Sequence, residues 1–142
     1  MARSDVFADT SGLYALVNRQ DAHHAAAREA VAVVLRSGRR LVVTEYVVSE
    51  TVTLARVRGG AHVALRVLDL VDQSAGIRIE WIGASRFDSV KAFARRHGDH
   101  TYSFVDCASF VVMRELKLSQ ALTTDGHFKQ AGFEPLLRMT NR

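Results

Sequence analysis

The sequence predicts an α/β fold: a three-layer α/β/α domain with a mainly parallel central sheet. Short apolar segments of strand length alternate with longer segments of helical periodicity along the whole chain. Several strand candidates are continuously apolar, such as Leu41-Val42-Val43, which is typical of strands buried on both faces of a parallel sheet. With 142 residues and 48% hydrophobic content, we expect residues 1–142 to form one domain.

The first half of the chain predicts two buried strands and four helices. The strands are Asp5–Asp9 and Leu41–Val43, and the helices run from Thr10 or Ser11 to about Asn18, from Asp21 to Ser37, from Glu45 to Arg58, and from Gly60 to Gly76. Thr10 or Ser11 can cap the first helix and Thr44 the third, because hydroxyl side chains accept hydrogen bonds from the first free backbone N–H groups. Gly38 is a good C-terminal stop for the second helix.

The second half begins with a segment that alternates apolar and polar residues, Ile77–Trp81, as expected of a half-exposed or edge strand. The helix predicted next, from Ala84 to His97, places Phe87, Val90, Phe93 and Ala94 on one face. The remaining predicted elements are a helix over Ser103–Lys117, a strand over Leu118–Thr123, a short helix over Gly126–Ala131 and a strand over Phe133–Leu137.

Four carboxylates stand in or just beyond apolar stretches of this pattern. They are Asp9, Glu50, Asp106 and Asp125. An unpaired charge in such a place costs several kcal/mol or takes up a proton. A shared counter-ion accounts for all four, and a hard divalent cation is the usual partner of clustered oxygens.

Each aspartate also has a purely structural explanation. Asp9 begins an Asp-Thr-Ser turn sequence. Asp106 follows Ser103 at capping-box spacing. Asp125 precedes Gly126 in a common turn dipeptide.

Glu50 has no comparable local role. On its predicted helix it stands between Val47 and Leu54, on the shoulder of the apolar stripe. Asp9 and Asp125 sit at the C-terminal ends of predicted strands, Asp125 two residues beyond Thr123, so both can reach the crevice beyond the carboxyl ends of a parallel sheet. Glu50 and Asp106 reach it if their helices pack alongside.

The charge balance narrows the class of partner. Nineteen Lys and Arg against fifteen Asp and Glu give +4, and without the four carboxylates the remainder carries +8. A positively charged surface around a cluster of carboxylates attracts polyanions such as RNA. A basic surface that serves only solubility is the alternative. The single cysteine, Cys107, excludes a disulfide framework and a Cys-rich zinc site. With no apolar run of about 18 residues and no signal-peptide pattern, we expect a cytoplasmic protein with no membrane partner.

A set of oxygen ligands without thiolates favours Mg²⁺ or Mn²⁺ over zinc. Carboxylates that share one metal site lie close enough to repel each other. Without the metal, at least one of them should therefore have a raised pKa and hold a proton. Thr10, Ser11 and Ser103 are candidates for hydrogen bonds that orient the carboxylates, and simple helix capping is the alternative.

The acidic segments together resemble a PIN domain, in particular the VapC-like ribonuclease toxins of prokaryotic toxin–antitoxin modules. These segments are Phe7-Ala8-Asp9-Thr10-Ser11, Ser49-Glu50, Tyr102-Ser103-Phe104-Val105-Asp106-Cys107-Ala108-Ser109-Phe110, and Leu122-Thr123-Thr124-Asp125-Gly126-His127-Phe128 with Ala131-Gly132-Phe133. Their order and spacing carry the resemblance, which extends from Asp5 to about Leu137.

The resemblance implies that Asp9, Glu50, Asp106 and Asp125 are the catalytic residues and hold Mg²⁺ or Mn²⁺ for RNA hydrolysis. It also implies a toxin that forms a homodimer and is inhibited by a small antitoxin protein, for which the predicted helices 18–37 and 45–58 offer an apolar groove. Gly12 stands where a stronger helix former is commoner, and is expected to loosen the first helix slightly. The alternatives are a catalytically weak RNA-binding or regulatory PIN domain and, more remotely, a phosphatase-like metal enzyme that acts on small molecules.

Overall fold

The computed structural model describes residues 4–138 and contains a five-stranded parallel sheet. Its strands are β1 (Val6–Ala8), β2 (Leu41–Val43), β3 (Ile77–Ile79), β4 (Gln120–Leu122) and β5 (Glu134–Pro135). They lie in the order β3-β2-β1-β4-β5, so β3 is an edge strand, as its alternating sequence indicates. The parallel sheet flanked by helices confirms the predicted α/β/α class.

Seven helices are described. They are α1 (Thr10–Val17), α2 (His24–Arg36), α3 (Glu45–Gly59), α4 (Ala61–Gln73), α5 (Gly83–Arg96), α6 (Phe104–Glu115) and α7 (Gly126–Gln130). Helix α1 packs against α2, α3 and α4, whereas α6 packs against α5 and α7. Crossovers between parallel strands are almost always right-handed. Because the chain moves from β1 to β3 in one direction and returns past β1 to β4, this rule puts α1 to α4 on one face of the sheet and α5 to α7 on the other.

The core lies between the sheet and these two helical layers. Strands β1 and β2 are buried at every position. On α5 the predicted apolar face is only partly correct: Val90 and Phe93 are buried, but Phe87 is 40% exposed. The ring of Phe87 meets the equally exposed ring of Phe104 edge-on, with 5.9 Å between centroids, so the two rings cover each other at the surface.

Helix α1 approaches the sheet unusually closely, and Gly12 makes this possible. A Cβ atom on Gly12 would lie 1.9 Å from the carbonyl oxygen of Leu122, which belongs to the β4 backbone. The expectation that Gly12 only loosens the helix is therefore wrong. The glycine allows the first turn of α1 to rest directly on the end of β4.

Within residues 4–138, no helix has both the length and the apolar character that spanning a bilayer requires.

Candidate active site

The register of β1 against β4 builds the centre of the site. Phe7 pairs with Ala121 and Ala8 with Leu122, so the next residues, Asp9 and Thr123, lie side by side beyond the strands. The Thr123 hydroxyl donates to Asp9 Oδ2 at 2.7 Å and accepts from the Asp125 N–H at 2.9 Å. One threonine thus links the two aspartates that follow adjacent strands.

Asp9 is buried, with 6% of its surface exposed, and it caps α1. Its Oδ1 accepts hydrogen bonds from the Ser11 hydroxyl at 2.8 Å and the Gly12 N–H at 2.9 Å. The expected cap at Thr10 or Ser11 is therefore wrong by one or two residues, because the Asp9 carboxylate already accepts the free N–H of the first turn. Burial, with a smaller contribution from the charge of Asp125, raises the pKa of Asp9 to about 7 against the opposing effect of its hydrogen bonds.

Asp106 stands in the first turn of α6. The Ser103 hydroxyl accepts from the Asp106 N–H at 3.0 Å, and Asp106 Oδ2 accepts from the Ser103 N–H at 3.1 Å, so the predicted capping box is present. Asp106 nevertheless faces the same cavity as Asp9. Burial raises the pKa of Asp106, and the nearby charge of Asp125 adds to this, while the Ser103 N–H and His127 oppose it.

Glu50 reaches the site differently from the aspartates. The expectation of a carboxylate set into the apolar stripe of α3 is wrong, because Val47, Thr51 and Ala55 form the buried face and Glu50 is exposed. Its side chain lines the rim of the cavity that also contains Asp9 and Asp125.

All four acids line one open cavity of about 620 Å³ at the carboxyl ends of β1 and β4. This is the point where the strand order changes direction, which is the usual ligand site of open α/β sheets. Within the described chain, Asp106, Asp125 and His127 each offer a ligand atom within 4.8 Å of the others. Asp9 and Glu50 line the same cavity outside that tight group.

The predicted site residues do not include His127, although it belongs to one of the acidic segments that carry the resemblance. Its Nδ1 lies 3.1 Å from Asp106 Oδ2 and 3.2 Å from Asp125 Oδ1. Its backbone N–H also donates to Asp125 Oδ1 at 2.9 Å. The signal available in the sequence was the spacing: a residue two positions after the aspartate that caps a short helix sits directly over that carboxylate.

The residues present fit a divalent cation. Four carboxylates around one cavity provide the oxygen donors that hard cations bind. Thr10 Oγ1, next to Asp9 on the cavity wall, is buried and has no hydrogen-bond partner in the described part of the chain. A buried hydroxyl without a partner is costly, and a bound ion with its water ligands would satisfy it.

The PIN-domain family profile matches residues 6–134. The chain belongs to the PIN-domain family. The 23S rRNA-specific endonuclease VapC20 of Mycobacterium tuberculosis, from strains CDC 1551 / Oshkosh and ATCC 25618 / H37Rv, is 36% identical over 129 residues, covering 90% of this chain and 95% of VapC20.

The crystal structure of M. tuberculosis VapC20, described as a Sarcin-Ricin loop cleaving toxin, superposes on this PIN domain with a TM-score of 0.81. The aligned residues are 31% identical and cover 94% of this chain and 99% of that structure. The likeness therefore extends over both proteins almost completely.

Proposed function

We propose that this protein is a metal-dependent endoribonuclease that hydrolyses RNA phosphodiester bonds, and that it is the toxin of a toxin–antitoxin pair. The observation that carries the proposal is the convergence of Asp9, Glu50, Asp106 and Asp125 on one cavity, in a chain so similar to a named rRNA endonuclease. Ribosomal RNA is the first substrate to test, because VapC20 is named as specific for 23S rRNA.

The four acids are the proposed ligands of Mg²⁺ or Mn²⁺. When bound, such an ion supplies Lewis acidity that activates water and stabilises the leaving 3′-oxygen of the phosphodiester. The protein contributes orientation: Ser11 and Thr123 hold the Asp9 carboxylate, and the backbone N–H groups of Ser103 and His127 hold those of Asp106 and Asp125.

Cationic side chains around the cavity are suited to RNA phosphates. Arg58 lines the cavity wall near Glu50 and is exposed. Arg95 and Arg96 are exposed at the end of α5, shortly before Thr101 and Ser103, which line the cavity. With the rest of the basic body, these groups attract a polyanion toward the acidic centre. We assign the activity to the cytoplasm, where RNA is abundant.

The antitoxin partner is proposed to occupy an apolar groove. The sequence predicts this groove between the second and third helices, and we place it in a cavity of about 610 Å³ between α2 and α4, which is lined by apolar residues such as Leu16, Val31 and Leu70. Arg19 and Arg66 also line it, so an amphipathic segment with acidic residues complements it. An arginine of the same partner can pair with the carboxylates of the active site, because a guanidinium stays charged and binds two oxygens.

The proposed homodimer uses a second surface, an apolar face formed by Tyr46, Val57, Phe87 and Phe104. Val57 is 81% exposed, and the ring of Phe104 lies within 6.2 Å of Tyr46 and 5.9 Å of Phe87, measured between centroids. Clustered exposed apolar side chains mark interaction surfaces. Tyr46 and Val57 line a shallow concavity that Glu50 also borders, so a second copy bound there would lie beside the active site.

The decisive experiment is cleavage of purified ribosomal RNA by wild type and by Asp106→Asn. Loss of one ligand should lower cleavage at least about 100-fold, because the ion provides several kcal/mol of transition-state stabilisation and each 1.36 kcal/mol is about tenfold in rate. Asp88→Asn is the matched control, since Asp88 lies on α5 with 84% of its side chain exposed. Wild-type cleavage by Asp106→Asn would refute the ligand assignment. Hydrolysis of small phosphomonoesters without RNA cleavage would favour the phosphatase-like alternative.

A further inference from the structure

The side chain of His127 lies between two of the carboxylates proposed to bind the metal ion. Its Nδ1 lies within 3.2 Å of one oxygen from each of Asp106 and Asp125, which are 19 residues apart in sequence. Its backbone is fixed by the hydrogen bond that its N–H donates to Asp125. The imidazole therefore places a nitrogen atom between two proposed ligands of the metal centre.

The far side of the ring is also held. Nε2 lies 2.9 Å from the Thr101 hydroxyl, and the ring meets Tyr102 edge-on with 5.5 Å between centroids. A metal-binding histidine usually donates its other ring N–H to an oxygen, which fixes the tautomer and the direction of the free lone pair. A hydrogen on Nε2 that donates to Thr101 leaves the Nδ1 lone pair directed at the space between Asp106 and Asp125.

We propose that His127 Nδ1 is itself a ligand of the divalent ion, together with Asp106 and Asp125. This inference rests on the proposed function, since it assumes the metal centre, but it changes the chemistry of that centre from all-oxygen to mixed nitrogen and oxygen. Imidazole binds transition-metal ions well, whereas Mg²⁺ prefers oxygen ligands and keeps its water. The centre therefore prefers Mn²⁺ over Mg²⁺.

Pulsed electron paramagnetic resonance of bound Mn²⁺ tests the proposal without relying on activity. A directly bound histidine nitrogen gives ¹⁴N coupling to the Mn²⁺ spin, which carboxylate and water ligands do not. We expect this coupling in the wild-type protein and its loss in His127→Asn. His23→Ala is the matched control, because His23 and His127 are the histidines in residues 4–138 that line the cavity, and His23 Nδ1 lies 3.6 Å from Asp21 instead.

Metal affinities provide the second readout. His127→Asn should weaken Mn²⁺ binding at least about tenfold and Mg²⁺ binding much less, so that the ratio of the two dissociation constants moves toward one. Thr101→Val removes the partner of Nε2 and should weaken Mn²⁺ binding by about tenfold while the ¹⁴N coupling persists. A residue that merely supports the turn would lower thermal stability and leave this ratio unchanged.

The outcomes separate this inference from the nuclease proposal. Wild-type protein that binds Mn²⁺ without ¹⁴N coupling overturns the ligand role of His127 and leaves the nuclease intact. Coupling that disappears in His23→Ala also overturns it, since the nitrogen is then that of His23. This comparison needs only wild type and His23→Ala, so it holds even if His127→Asn fails to fold. Failure of the wild-type protein to cleave RNA would refute the nuclease proposal, whereas cleavage by Asp106→Asn at the wild-type rate would refute the shared metal centre.

Discussion

At the residue scale, Asp9 shows how the site keeps a carboxylate in a place that disfavours its charge. Three hydrogen bonds, from Ser11, Gly12 and Thr123, stabilise the ionised form. Burial and the neighbouring Asp125 act in the opposite direction and prevail, so the pKa of Asp9 rises to about 7. Near neutral pH the metal-free site therefore holds a proton that a bound cation must displace.

Asp9→Asn should change how the stability of the metal-free protein depends on pH. Between the ordinary carboxyl value of 3.8 and about 7, folded Asp9 holds a proton that unfolded Asp9 lacks. Protonation of Asp9 therefore stabilises the folded state. This stabilisation is fully present below pH 3.8 and is lost as the pH rises from 3.8 through about 7. The change amounts to at most about 4 kcal/mol. Asn carries no titrating group, so metal-free Asp9→Asn should lose less stability than wild type between pH 4 and pH 8.

Urea unfolding in the presence of a chelator at several pH values measures this difference. Asp88→Asn again serves as the control, because its exposed carboxyl should leave the pH profile of stability close to that of wild type. Mn²⁺ should stabilise the wild type at pH 8 and Asp9→Asn much less. Parallel pH profiles for wild type and Asp9→Asn would show that Asp9 does not carry the raised pKa.

The sequence could predict that the three aspartates belong to the site. It could not predict how Glu50 and His127 are placed around them. Asp9 directly follows β1 and Asp125 lies three residues beyond the last residue of β4, so the sequence pattern places both near the carboxyl ends of the strands. The exposure of Glu50 depends on how α3 rotates against α1 and α4, and an apolar stripe of mixed residues does not fix that rotation. The role of His127 depends on Thr101, which lies 26 residues away and which no periodicity connects to it.

At the element scale, the contact between α1 and β4 holds the site together. The first turn of α1 carries Asp9 as its cap and Ser11, and the end of β4 carries Thr123. The Ser11 hydroxyl also accepts from the Thr124 N–H at 3.0 Å. These hydrogen bonds form only because Gly12 allows the helix to rest on the backbone of Leu122.

Gly12→Ala is accordingly predicted to damage both stability and the site. Alanine is about 1 kcal/mol better than glycine in a helix interior. Here the added Cβ would lie 1.9 Å from the Leu122 carbonyl oxygen, and overpacking against backbone costs about 3 kcal/mol or more. The steric cost prevails, so the melting temperature should fall and α1 should shift away from β4, with weaker metal binding.

Gly98→Ala provides the matched comparison. Its Cβ would meet its nearest neighbour, the Arg95 carbonyl oxygen, at an ordinary 3.6 Å, and we expect little change in stability. Differential scanning calorimetry of the two variants with wild type measures both effects. Equal melting temperatures for Gly12→Ala and Gly98→Ala would contradict the close approach of α1 to β4.

At the scale of the whole molecule, the alternation of strands and helices predicted a parallel sheet because parallel neighbours require a crossover between them. It did not predict the order β3-β2-β1-β4-β5, which depends on the sheet edge at which each crossover returns. That order decides the site, since it places β1 beside β4 and brings residue 9 next to residue 123. The pattern itself singled out the four acids but left a structural explanation open for each aspartate, and the resemblance to PIN domains implied that all four hold the metal ion.

The charge distribution of the whole chain leads to the last prediction. Outside the four carboxylates the protein carries +8, so RNA should be attracted over a broad surface and held through its phosphates. With about four phosphate contacts to single-stranded RNA, raising salt from about 50 to about 200 mM lowers the affinity about 50-fold. Fluorescence anisotropy with Asp106→Asn, in EDTA, measures binding without cleavage.

Arg58 should account for one of these contacts, because it lines the catalytic cavity. Arg58→Ala should weaken RNA binding and reduce the salt slope by about one contact. Arg40→Ala is the control. Arg40 is exposed and immediately precedes β2, at the amino ends of the strands, whereas the cavity lies at their carboxyl ends, so the slope should stay at the wild-type value. An affinity that does not change over this salt range would show that the substrate is not held through its phosphates. A slope lowered equally by both variants would mean that RNA binds away from the cavity.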